Sequence, residues 1–131
     1  MQTTASDKTK FSIKSRVKSF THAFRGFCVF MKTTHNAWLQ VIALCLVIIL
    51  GFVFGITETE WLALIISSGL VLSAEAFNTA IEIDINLTSP EFHPYARDTK
   101  DVAAGAVLIT SFMAAIVGLV IFLPHVIALF R

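Results

Sequence analysis

The chain reads as an all-α membrane protein, an amphipathic surface helix followed by three membrane-spanning helices, and three observations predict it. Of its 131 residues 56% are hydrophobic and only 15% charged, which is too apolar for an ordinary soluble domain of this size. Three long apolar runs follow one another, and the basic residues crowd ahead of the first. Membrane strands are poor candidates because the runs lack a sustained apolar and polar alternation.

The N-terminal region holds seven of the ten basic residues, Lys8, Lys10, Lys14, Arg16, Lys18, Arg25 and Lys32, against one acid, Asp7. Phe20, Phe24, Phe27 and Met31 recur at helical spacing, so an amphipathic helix over 10–34 is expected. Two readings of its apolar stripe stand: it enters the lipid interface, or it packs on the membrane helices. A cleaved signal peptide is not expected, because the basic region is long and no small-residue cleavage site follows a short apolar core. Thr34 or Asn36 marks the expected break before the first span.

That span, 37–56, carries no charged residue, and at about 1.5 Å per residue it crosses a hydrocarbon layer of roughly 30 Å. Gly51 and Gly55 form a small-residue pair four apart, a candidate helix contact. The second span, 61–82, is apolar only as far as Ala74, and the third, 102–124, is again free of formal charge. Between them a polar cytoplasmic loop over 83–101 is expected, because Pro90 and Pro94 bracket Glu91-Phe92-His93. The connection around Ile56 to Glu60 has no Lys or Arg, whereas Arg97 and Lys100 lie between the second and third spans. This places the N-terminus inside and the C-terminus outside. The whole chain, 1–131, makes one domain. Cys28 and Cys45 give no disulfide framework, and Asn86-Leu87-Thr88 lies too close to the membrane on its inner side to be glycosylated.

The second span ends on Glu75, Asn78 and Glu82, spaced by three and four residues and hence on one helix face. Carboxylates at membrane depth are costly unless they meet a cation, water or a partner, so this face is a candidate site. Ion translocation, hydrogen bonding between helices and enzyme chemistry each remain open on that evidence. Three helices shield such a face poorly, which leads us to expect neighbouring subunits to complete it. Arg97-Asp98-Thr99-Lys100-Asp101 falls at the same inner interface. Lys100 suits phosphate as a point charge, and Asp101 suits a cation or a phosphate-bound metal. Phosphoryl transfer uses this combination: Glu75, the deeper carboxylate, as base, Glu82 as metal ligand, and Asn78 orienting base or phosphate. No Walker or kinase glycine loop is present, and His93 beside its prolines reads as a capping or packing residue. No nucleic-acid partner is expected.

Glu75-Ala76-Phe77-Asn78-Thr79-Ala80-Ile81-Glu82, then Ser89-Pro90-Glu91-Phe92-His93-Pro94, then Ala96-Arg97-Asp98-Thr99-Lys100-Asp101-Val102-Ala103-Ala104-Gly105-Ala106-Val107, resemble the prokaryotic diacylglycerol kinase and undecaprenol kinase family. The Ser89–Pro94 stretch is nearer in form to the undecaprenol kinase branch. The resemblance implies a homotrimer in the bacterial inner membrane with active sites shared between subunits. It implies transfer of the γ-phosphate of ATP, with Mg2+, to a lipid hydroxyl. By motif, Glu75 corresponds to the family's base, Asn78 to its polar companion and Glu82 to a metal-binding glutamate. Glu91, Lys100 and Asp101 correspond to positions associated with nucleotide and phosphates, and Arg16 to an N-terminal basic residue.

Two positions depart from the family pattern. Thr34 stands where the family has a second metal-binding glutamate, which implies a weakened metal site. Asn86 stands where an aspartate is usual, and Asp84, two residues earlier, faces about 200° away on a continuing helix. A catalytically silent nucleotide- or lipid-binding homologue and a lipid phosphate phosphatase are the competing readings.

Overall fold

The computed structural model describes residues 12–34 and 37–131, so expectations on Lys8, Lys10 and Asn36 lie outside the described residues. Four helices follow in order: α1 (Ile13–Thr33), α2 (Ala37–Phe54), α3 (Glu58–Thr88) and α4 (Pro94–Ala128). The last three are each long and apolar enough to cross a membrane. The all-α expectation therefore holds, with a helix of different character in front.

On α1 the stripe residues Phe20, Phe24 and Phe27 are exposed, while Phe30 is buried. Met31, the last of the stripe, is half-buried, so only the end of the stripe next to α2 packs within this chain and its phenylalanines do not. The helix is instead held at its C-terminal end, where Phe30 is buried and the Thr34 hydroxyl pairs with that of Thr79 on α3.

The helix α2 ends in a Schellman motif: the Ile56 amide donates to the Gly51 carbonyl at 3.2 Å and the Gly55 amide to the Phe52 carbonyl at 3.3 Å. Gly55 takes the left-handed φ of +61° that this ending requires. The two glycines thus do different jobs rather than forming one small-residue contact. Gly51 is buried under the Trp61 ring, and a Cβ there would come within 2.6 Å of it. Replacing Gly51 by Ala is expected to cost about 1–3 kcal/mol, because a rigid indole must give way. A lowered thermal midpoint in detergent checks it.

A capping box starts α3: the Glu60 carboxylate accepts from the Thr57 amide at 2.8 Å, and the Thr57 hydroxyl accepts from the Glu60 amide at 3.4 Å. Its 31 residues extend about 46 Å, so part of it rises beyond the hydrocarbon layer. The irregular segment between α3 and α4 is confined to 89–93, shorter than the loop expected over 83–101. Pro90 disfavours the helical conformation at Ser89 and stops α3. Pro94 does the opposite, because an amide is not needed in a first turn, and it opens α4 behind the N-cap His93. Lys100 and Asp101 consequently stand on a helix and not in a loop.

The helices α3 and α4 pack along each other, and α2 leans on the pair with fewer contacts. At one end Ile56, Leu64 and Ile121 form a small core with Phe54, Trp61 and Phe122 around it. Most other large apolar side chains are exposed, which suits a surface solvated by lipid rather than water. The core fixes the end of the bundle remote from Glu75, since Leu64 and Glu75 are about 16 Å apart along α3.

Candidate active site

The carboxylate face of α3 comes together as the helical spacing requires. Glu75, Asn78 and Glu82 line one open groove of about 640 Å³ with Gln40 of α2 and Val107 and Ser111 of α4. Glu75 is buried, only 6% exposed, and Glu82 lies exposed toward the end of the helix. This gradient follows from position, as α3 carries Glu82 beyond the packed part of the bundle.

Two amide–carboxylate pairs organise the groove. The Gln40 Nε2 donates to Glu75 Oε1 at 2.6 Å, and the Asn78 Nδ2 donates to Glu82 Oε1 at 3.1 Å. Asn78 therefore orients the outer carboxylate, while the deeper one is held by α2. Each amide keeps its oxygen buried and, among the described residues, without a partner, Gln40 Oε1 and Asn78 Oδ1. Buried acceptors left unmet cost about 1–3 kcal/mol each, so the groove favours a ligand that brings donors or a cation.

Thr34 stands elsewhere on this face. Its hydroxyl pairs with that of Thr79 at 2.6 Å, tying the end of α1 to α3. Thr79, buried, lies about 40° around the helix from Glu75 and about 60° from Glu82. Thr34 thus reaches the edge of the carboxylate face with its oxygen already engaged by a threonine. It does not line the groove.

A second pocket, about 320 Å³, opens where α3, the 89–93 segment and α4 meet, and it gathers Glu91, Lys100, Asp101, Asn86 and His93. Lys100 Nζ donates to Asn86 Oδ1 at 2.7 Å across the two helices. The contact sets the Lys100 ammonium against a neutral amide oxygen rather than a carboxylate. Asp101 pairs with Arg97 at 3.6 Å on the exposed first turns of α4, a surface ion pair of little energetic weight. His93 caps α4, its Nδ1 accepting from the Tyr95 amide at 3.3 Å. Asp84 rides the unbroken helix two residues before Asn86, as the spacing predicts. Arg16 lies exposed near the start of α1.

Gln40 and Thr79 are the site residues that the sequence reading passed over. The available signal was an amide in an otherwise apolar span, since polar side chains in membrane helices seek partners on other helices.

Among the described residues no three His, Cys, Asp or Glu side chains gather as a metal site. Mg2+ does not need such a cage. It binds through one or two carboxylates, phosphate oxygens and retained waters. The donor set of Glu82 and the unmet Asn78 oxygen is made of hard oxygen ligands and fits that ion.

Three helices of membrane-crossing length, with an open groove of carboxylates at one end, define a multi-pass membrane protein with a polar site between its helices. The chain belongs to the prokaryotic diacylglycerol kinase family, whose pattern matches residues 21–122. That membership places it among the lipid kinases. It is similar to an undecaprenol kinase of Bacillus subtilis, 40% identical over 107 residues that make up 82% of this chain and 87% of that relative. A diacylglycerol kinase of Synechocystis is 32% identical over 112 residues, 85% of this chain and 64% of that protein. One from Helicobacter pylori is 28% identical over 106 residues, 76% of this chain and 83% of its own length.

Proposed function

We propose that this protein transfers the γ-phosphate of ATP to the hydroxyl of a membrane lipid, undecaprenol in the first instance, in a reaction that uses Mg2+. The observation that carries the reading is the groove that joins a buried carboxylate, Glu75, to an exposed one, Glu82, at the end of the bundle remote from the Ile56–Leu64–Ile121 core. The undecaprenol kinase relative at 40% identity supports the choice of acceptor. Diacylglycerol is the second reading, favoured by the diacylglycerol kinases among the relatives.

In this reading Glu75 takes the proton of the attacking hydroxyl. Glu82, steadied by Asn78, and the Asn78 oxygen would hold the metal, which when bound would neutralise phosphate charge. Lys100 meets phosphate from the adjoining pocket, with Glu91 and Asp101 beside it, and Arg16 adds positive charge from α1. The work is mainly positioning and electrostatics, as phosphoryl transfer requires. The groove remains open in the single chain, which supports a homotrimer whose neighbouring subunit closes it. The basic α1 with its exposed phenylalanines lies along the cytoplasmic interface, and the C-terminus lies outside.

A screen in lipid mixed micelles tests the acceptor. Labelled γ-phosphate is expected on undecaprenol in preference to diacylglycerol when Mg2+ is present. Preference for diacylglycerol would select the second reading, and transfer to neither would refute the kinase reading.

A further inference from the structure

The geometry points to Gln40 as a positioning residue that fixes which oxygen of Glu75 acts as the base. This rests on the lipid kinase reading. A carboxylate only accepts hydrogen bonds, so the amide nitrogen of Gln40 must be the atom that faces it, and the 2.6 Å contact engages Glu75 Oε1. Oε2 is then the oxygen left for the lipid hydroxyl. The proton passes to Oε2 as the O–H bond breaks. The lipid oxygen bonds to the γ-phosphorus, and the nucleoside diphosphate leaves with the electron pair of the broken P–O bond.

A purely structural role accounts poorly for this amide. Gln40 comes from α2, 35 residues away from Glu75 in sequence, and its own Oε1 is buried without a partner among the described residues. An apolar side chain of the same size would join α2 to α3 without leaving that oxygen bare, but it would strip the buried Glu75 carboxylate of its donor, so the amide is there for that carboxylate. Holding a base to one orientation supplies the compensating reason, because misplacing a reacting group by about 1 Å can cost on the order of 10²-fold in rate. The sharing of the groove between Gln40 and Glu75 puts this control where the hydroxyl must arrive.

The test compares the wild-type full chain with Gln40→Met, Gln40→His, Glu75→Gln and the Gln40→Met/Glu75→Gln double variant, in mixed micelles with undecaprenol and ATP. Gln40→Met is expected to lower kcat by about tenfold or more while KM for lipid and nucleotide stays unchanged. Gln40→His, which restores an N–H donor, is expected to recover most of the loss. The double variant is expected to be no slower than Glu75→Gln alone, because Gln40 acts through that carboxylate. Should Gln40→Met fail to fold, Gln40→Asn replaces it: it keeps the amide one methylene too short, and the same fall in kcat is expected. Wild-type kcat in the variant, or a further loss in the double variant, would overturn the assignment. A wild-type protein without transfer would instead remove the kinase reading and this inference with it.

Discussion

Glu75→Gln is expected to reduce lipid phosphorylation by about 10²–10⁴-fold, the usual worth of a positioned general base. The substitution is nearly isosteric. The new carboxamide oxygen can still accept from Gln40 Nε2, so the contact between α2 and α3 survives. What disappears is the group that takes the proton. KM for nucleotide should stay close to the wild-type value, since Lys100, Asp101 and Glu82 are untouched. Initial rates in mixed micelles measure this, with Glu60→Gln as the control. Glu60 caps the opposite end of α3, about 22 Å along the helix, and its loss should leave transfer intact. Equal activity in Glu75→Gln and wild type would remove Glu75 as the base.

Thr34→Glu is expected to lower the Mg2+ concentration needed for half-maximal transfer by about tenfold, the scale at which metal-site partners tune affinity. Thr34 sits against Thr79, at the margin of the face that carries Glu75 and Glu82. A glutamate there adds a carboxylate within the same quarter of the helix, where the present threonine offers a neutral oxygen already in a hydrogen bond. The exchange also breaks the Thr34–Thr79 pair, at a cost of about 1 kcal/mol. The variant should therefore be somewhat less heat-stable and yet bind Mg2+ and nucleotide more tightly. Metal titrations of rate, together with a thermal midpoint, separate the two effects. An unchanged metal requirement would show that a neutral oxygen at position 34 does not limit this protein.

Local periodicity made much of this arrangement legible in the sequence. Glu75, Asn78 and Glu82 share a helix, so their spacing alone put them on one face, and the groove follows. The three spans were equally readable, because membrane thickness sets their length and composition. Contacts between helices were not. Gln40 meets Glu75 across 35 residues of chain and Thr34 meets Thr79 across 45, and no pattern within either helix encodes those meetings.

Gly51 and Gly55 show a second limit. Their spacing fits a helix-contact motif, but one admits the Trp61 ring and the other ends α2 in a left-handed turn. Only the position of the helix end separates the two roles. Pro90 and Pro94 misled in the same way: a proline opens a helix or closes one according to where the neighbouring turn begins. Pro94 begins α4, which carries Lys100 onto a helix facing Asn86.

The most direct test of the central claim measures lipid phosphate and nucleoside diphosphate together in one reaction, using purified protein, undecaprenol and ATP with Mg2+. Lipid phosphorylation predicts that the two products appear in equal amounts and that both vanish when the metal is chelated. Nucleoside diphosphate formed without lipid phosphate, or neither product in the presence of folded protein, would contradict it.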